Sequence, residues 1–297
     1  MKKLDNKGSA AILLSIVMVA LLGFTALVVD IGMVYAERTK LSNALDSAVL
    51  AATLELPNHP EKAKATALEY LEKNNVDTTD TEVIIGEDHR SIEITGIKEV
   101  KHFFAPVLGI LSSDTGAATK AVIGPASSVD QGVRPFAVEK FPFQYGDTVV
   151  LKAGAKDGYH GNYGAVALGG TGASIFRDNA LYGHRGTISV GDYIDTEPGN
   201  MAGATSAIRN YINGENSDFE NFSRDSKRLW TIPLVDEVEP EGRDELLVVG
   251  FGQFYVEDVV NAGGHTEITG RFVEFVTSAT IDQELENTGT YGAKLTR

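Results

Sequence analysis

Residues 9–29 read SAAILLSIVMVALLGFTALVV, twenty-one positions without a charge, closed by Asp30 and followed by IGMVYAERTKLSNALDSAVLAATLEL. At about 1.5 Å rise per residue, a helix of this length covers roughly 31 Å, the thickness of a bilayer's hydrocarbon core. It also satisfies its own backbone hydrogen bonds, which lipid cannot do. Lys2, Lys3 and Lys7 precede it against one acid, Asp5. A basic flank of this kind stays cytoplasmic and places the remaining mass outside. Residues 1–8 are therefore expected as a cytoplasmic flank and 9–30 as a single transmembrane helix. Two other readings compete. One is a cleaved signal peptide, with Val34-Tyr35-Ala36 as its small-residue site; the other is a buried helix of a soluble fold. The length and the lack of charge favour the anchor. Asp30 is either an interfacial carboxylate marking the helix exit or a contact with a partner helix.

Beyond the span, Val34, Leu41, Leu45, Ala48, Ala52 and Leu56 recur at spacings of seven, four, three, four and four. This is one apolar stripe of a helix, and it extends the rod to about Leu56, where Pro57 and Pro60 end it. A second helix is expected over 61–73, a hairpin over 82–95 and a third strand at 119–123. The small, polar, turn-prone stretch 124–132 reads as a linker after a small α+β domain, residues 31–123. Residues 133–284 show short strand patterns punctuated by glycine, with helices near 173–181 and 201–212, the second capped by Asn200. The proline at 233 would confine its strand to a sheet edge. Residues 285–297 read as a flexible tail. The fold class is α+β: a long transmembrane and amphipathic helix, a small α+β domain, then a β-rich, barrel- or sandwich-like domain.

The chain has 297 residues and a net charge of −15. Its start is basic, so the acidity belongs to the part outside the membrane. That disfavours nucleic acid, which requires basic patches. No cysteine is present, which excludes disulfides, thiolate zinc sites and cysteine nucleophiles. The six histidines form no close metal pair such as H-E-x-x-H. Asp192, Asp195 and Glu197 lie within six residues beside Pro198-Gly199-Asn200; they are weak candidates for calcium, without EF-hand spacing. His160 and His184 fall in glycine-rich turns and would matter only if the fold brought one beside a Ser and an Asp. No catalytic residue and no cofactor is implied.

The segment from Lys7 to about Ala52 resembles the N-terminal module of TadE/TadG-like proteins of the Tad (Flp-type) pilus assembly system. The matching residues are Val29, Asp30, Gly32, Tyr35, Leu41, Ala44, Asp46, Ala48, Leu50 and Ala51. The resemblance covers roughly residues 7–55. It implies a pilin-like structural protein of the bacterial cell envelope, in which Asp30, Gly32, Tyr35, Leu41, Asp46 and Ala48 serve the motif and helix packing. Gly8 is placed like a prepilin cut site, yet the fifth residue after it is Leu13 and no Glu occurs in the span. A membrane-retained component therefore fits better than a major filament subunit.

The expected function is a membrane-anchored extracytoplasmic assembly component of a Tad pilus or related envelope machine, not an enzyme. Its partners would be the membrane and other pilus or envelope subunits through the N-terminal helix, where Ala20, Gly23 and Ala26 offer a small-residue face. The alternatives are a membrane-tethered extracellular module binding glycan, protein or calcium, and, less favoured, a hydrolase.

Overall fold

The computed structural model describes residues 7–153, 160–197, 202–237, 245–262 and 265–296. One 47-residue helix, α1 (Lys7–Thr53), carries both the apolar run and the amphipathic stripe without a break, a rod of about 70 Å. Residues 10–29 are exposed throughout, apart from half-buried Ala26. The hydroxyls of Ser15 and Thr25 donate to the carbonyls of Ala11 and Leu21, both at 2.9 Å, so both are satisfied within the helix. Among the described residues this is one helix long and apolar enough to cross a membrane.

Past Asp30 the helix behaves differently. Leu41, Ala44, Leu45, Ala48, Val49 and Ala52 are buried. They pack on Ala63, Ala67 and Leu71 of α2 (Pro60–Lys73) and on a sheet. That sheet begins with β1 (Thr81–Ile85) and β2 (Ser91–Lys101), the expected antiparallel hairpin, and continues with β3 (Ser112–Val129). Gly96 of β2 sits under α1: a Cβ there would meet Thr81 Cγ2 at 3.3 Å and Leu41 Cδ1 at 3.4 Å. Asp46 accepts a 2.7 Å hydrogen bond from Thr119 of β3, and Glu37 pairs with Lys98 of β2 at 2.7 Å.

The remaining elements are β4 (Phe136–Glu139), β5 (Thr148–Ala153), β6 (His160–Ala165), α3 (Ala173–Tyr182), β7 (Ile188–Ser189), β8 (Tyr193–Asp195), α4 (Ala202–Asn213), β9 (Leu229–Val235), β10 (Glu245–Ala262), β11 (His265–Val273), β12 (Phe275–Val276), β13 (Ala279–Ile281) and β14 (Thr290–Thr296). Strands β11, β5, β6, β4, β9 and β10 pair in that order, and β10 pairs back to β11, closing a six-stranded barrel. The β5–β6 and β4–β9 pairs are parallel and the others antiparallel. The interior holds Phe136, Tyr163, Trp230, Phe254 and Phe272, with Phe136 stacked on Trp230 at 5.2 Å; α3 and α4 add Phe176, Ile208 and Ile212.

Three expectations give way here. The stretch read as a linker at 124–132 is strand as far as Val129: β3 runs on through it. Its Ala121 and Ile123 belong to the helix-bearing core, and its Ala126 and Val129 to a second core shared with the barrel. The small residues are there for close packing: a Cβ on Gly124 would meet the Gln283 side chain at 2.5 Å. The tail read at 285–297 contains β14, which lies between β3 and β12 in the first sheet and buries Tyr291 completely. The chain therefore returns to its first sheet after building the barrel. The strand containing Pro233, expected at an edge, is interior between β4 and β10; on its β4 side the carbonyls of Thr231 and Val235 accept the hydrogen bonds. The Asn200 cap lies outside the described residues.

The loop after α4 joins the barrel to the helical layer. Arg224 donates to the carbonyls of Leu54 (2.8 Å) and Val276 and lies 4.1 Å from the Phe275 ring centroid. Glu215 organises the same loop, accepting hydrogen bonds from Ser217, from Ser226 at 2.5 Å and from the Lys227 N–H at 2.6 Å. Burial alone would raise the Glu215 carboxyl, but these hydrogen bonds outweigh it and hold its pKa below the ordinary value of 4.5.

Two outcomes follow. Tyr291→Ala should cost about 3–5 kcal/mol in chemical denaturation, the range for emptying a buried aromatic site; a change within error would make β14 dispensable. The Glu215 contribution is complete above its unfolded-state pKa near 4.5 and is lost as pH falls from there through the lower folded-state value. The protection of amides across 215–227 relative to their intrinsic exchange rate should fall on acidification over that window, and in Glu215→Gln it should already be low at neutral pH, without the step.

Candidate functional site

Asp30 is the last residue of the apolar run and is only 3% exposed. Its cover comes from the apolar loop between β2 and β3, FFAPVLGIL, residues 103–111. Asp30 Oδ1 accepts the N–H groups of Phe103 at 2.8 Å and Phe104 at 3.2 Å; Oδ2 accepts those of Phe104 at 3.1 Å and Ala105 at 2.7 Å. A 3₁₀ turn, Ala105–Leu108, begins at this point, so the carboxylate satisfies donors at the start of the turn that have no partner within it. Gly109 then reverses the chain at φ +81°, a backbone conformation open to glycine. Of the two sequence readings of Asp30, the structure shows neither alone. The residue marks the end of the apolar run, and its carboxylate is bonded to the chain's own loop.

The clamp leaves a groove of about 860 Å³ between α1 and the loop, with Ala26, Ile31 and Tyr35 on the helix side and Val107 and Ile110 on the loop side. Arg38 and His102 stand at its polar end.

The motif residues divide by environment. Leu41, Ala44 and Ala48 are buried in the helix–sheet core, and Asp46 bonds Thr119. Gly32 and Tyr35 do neither. An added Cβ on Gly32 would meet nothing within 4 Å, and Tyr35 is 72% exposed. The buried stripe of the amphipathic half of α1 thus packs within its own chain. Residues 10–29 apart from Ala26 are exposed, and Ile31, Gly32 and Tyr35 are exposed with them. Gly8 lies in the first turn of α1.

The other sequence candidates take separate places. Asp192 accepts the Ser189 N–H at 2.7 Å and closes the β7–β8 turn. Asp195 ends β8, opposite Glu245 of β10. Glu197 Oε1 accepts the Gly172 N–H at 3.3 Å. Among the described residues, no three His, Asp or Glu side chains gather as metal ligands. The ring of His184 fills the space at Gly169 and Gly186, where added Cβ atoms would lie 2.6 and 2.4 Å from it. Burial lowers its pKa. The side chain of His160 lies outside the described residues.

Compared with known families, residues 8–63 match the Tad model, described as Flp pilus-assembly TadE/G-like. No curated protein and no solved structure matches the chain. The matched region includes Asp30 and the whole core-forming stripe of α1, and it ends as α2 begins.

Asp30→Ala should strand the Phe103–Ala105 N–H groups. At about 1.5–3 kcal/mol for hydrogen bonds to a charged group, their amide exchange should rise roughly 10- to 100-fold, while Ile92 and Ile94 in β2 keep their protection. Unchanged exchange at 103–105 would show that the carboxylate does not hold the loop.

Proposed function

We propose that this protein is a membrane-anchored, extracytoplasmic structural component of a Tad (Flp-type) pilus or related envelope assembly. The match of residues 8–63 to the TadE/G-like family supports a Tad-related role, and the apolar first half of α1 supports single-pass anchoring. The three lysines ahead of the span support a cytoplasmic N-terminus, which leaves the barrel and the first sheet outside. The action is assembly rather than catalysis.

One observation carries the reading. Within the motif, Leu41, Ala44 and Ala48 build the chain's own core, whereas an added Cβ on Gly32 would meet nothing within 4 Å and Tyr35, at the edge of the groove, is 72% exposed. Both lie just past Asp30 on exposed surface of α1. A helix surface offering a glycine beside an aromatic ring suits close approach of a second helix at the membrane boundary. The outer sheet and barrel then form a rigid body displayed above that contact, since β3 crosses from one core to the other.

Gly32→Trp and Tyr35→Ala test this in the native host. Each should leave the thermal unfolding of the protein within about 0.5 kcal/mol, as for surface substitutions, while reducing co-purification with other pilus-assembly subunits several-fold. Wild-type recovery of those subunits with both variants would remove this face from the assembly. Mass spectrometry of the mature N-terminus in the same preparation should show an intact start, consistent with a retained component; a cut after Gly8 would point to filament incorporation.

A further inference from the structure

The loop 103–111 is hard to reconcile with water. Val107 is 90% and Leu108 80% exposed, and Phe103, Ile110 and Leu111 are exposed with them. No ionisable side chain occurs from Phe103 to Leu111. A contiguous apolar patch of this kind on a folded chain marks a contact surface. Its position identifies the occupant. The groove that Val107, Leu108 and Ile110 line is lined on its other side by Leu22, Ala26 and Leu27 of the apolar run. Leu22 lies eight residues before Asp30, about 12 Å further along the helix axis. The loop therefore hangs down beside the segment that the anchoring reading places in lipid.

Its backbone is also prepared for that medium. The N–H groups of Phe103, Phe104 and Ala105 go to Asp30, and residue 106 is a proline, with no N–H. Val107 donates to Phe104, Gly109 to Pro106, Ile110 to Ala105 and His102 to Leu111. Non-helical backbone is tolerated at membrane depth only when such groups are satisfied internally. The rim has the opposite character: Lys101 and Arg38 are exposed, and Tyr35 stands beside the groove. Cations and aromatic rings at that level suit the headgroup zone.

We propose that residues 103–111 are a second membrane-embedded element, a loop immersed in the outer leaflet with phospholipid acyl chains filling the groove against α1, and that Asp30 fixes its depth. This rests on the anchoring reading above. The chain's lack of cysteine allows single-site labelling. Leu14→Cys in the apolar run, Leu108→Cys in the loop and Tyr182→Cys on exposed α3 would each carry one environment-sensitive fluorophore. The full-length proteins would then be reconstituted in phosphatidylcholine vesicles with brominated acyl chains. The proposal expects the Leu108 label to be quenched by brominated lipid at least half as strongly as the Leu14 label, and at least fivefold less than the Tyr182 label by aqueous iodide. Iodide quenching equal to that at Tyr182 would overturn it. Shielding of the Leu108 label from both quenchers would also overturn it, in favour of a protein partner such as a second copy. Failure of brominated lipid to reach the Leu14 label would instead refute anchoring itself, and the loop proposal with it.

Discussion

A single carboxylate sits where the apolar and amphipathic halves of α1 meet, and it receives the backbone of a loop 73 to 75 residues away. The first sheet depends on that junction for its placement. Below Asp30 the helix contacts little of its own chain; above it, one face is wholly enclosed by α2, β2, β3 and β14. A charged group at that boundary would be expensive if left unpartnered. Four hydrogen bonds from three N–H groups remove the difficulty and give the acid a use. They tie the β2–β3 connection to a fixed height on the rod. Asp46 and Glu37 repeat the device further out, each binding the helix to a different strand.

The chain's charge pattern acquires a spatial meaning from this arrangement. The chain's net charge of −15 is carried by the residues beyond Asp30, while two apolar stretches without ionisable side chains, residues 9–29 and 103–111, lie side by side. The hydroxyls of Ser15 and Thr25 bond back into the helix, and the N–H groups of Phe103, Phe104, Ala105, Val107, Gly109 and Ile110 are met by Asp30 and by the loop's own carbonyls.

The sequence revealed what is local. The long apolar run, the stripe through Leu41, Leu45, Ala48 and Ala52, the 82–95 hairpin and the two helices near 173–181 and 201–212 follow from local patterns, and helix or strand stands at each. What it concealed is long-range pairing. GPASSV has the composition of a turn, yet its small residues are required because β3 runs there between two cores and the Gln283 side chain crosses Gly124. TYGAKLT buries Thr290, Tyr291 and Gly292 consecutively, so no clean alternation announces a strand. The proline at 233 suggested an edge because composition does not show which neighbour a strand has. The same limit applied at the site. Asp30 was singled out as an unusual residue, but nothing local in residues 103–111 beyond their apolar composition names it as their partner.

The position of β14 has a consequence for biogenesis. The strand that completes the middle of the first sheet follows the entire barrel in the chain. The layer that carries α1 must wait, its groove between β3 and β12 open, until the segment Thr290–Thr296 is available. The barrel can close earlier. A product lacking that segment would have its barrel formed and its helix-bearing sheet unfinished.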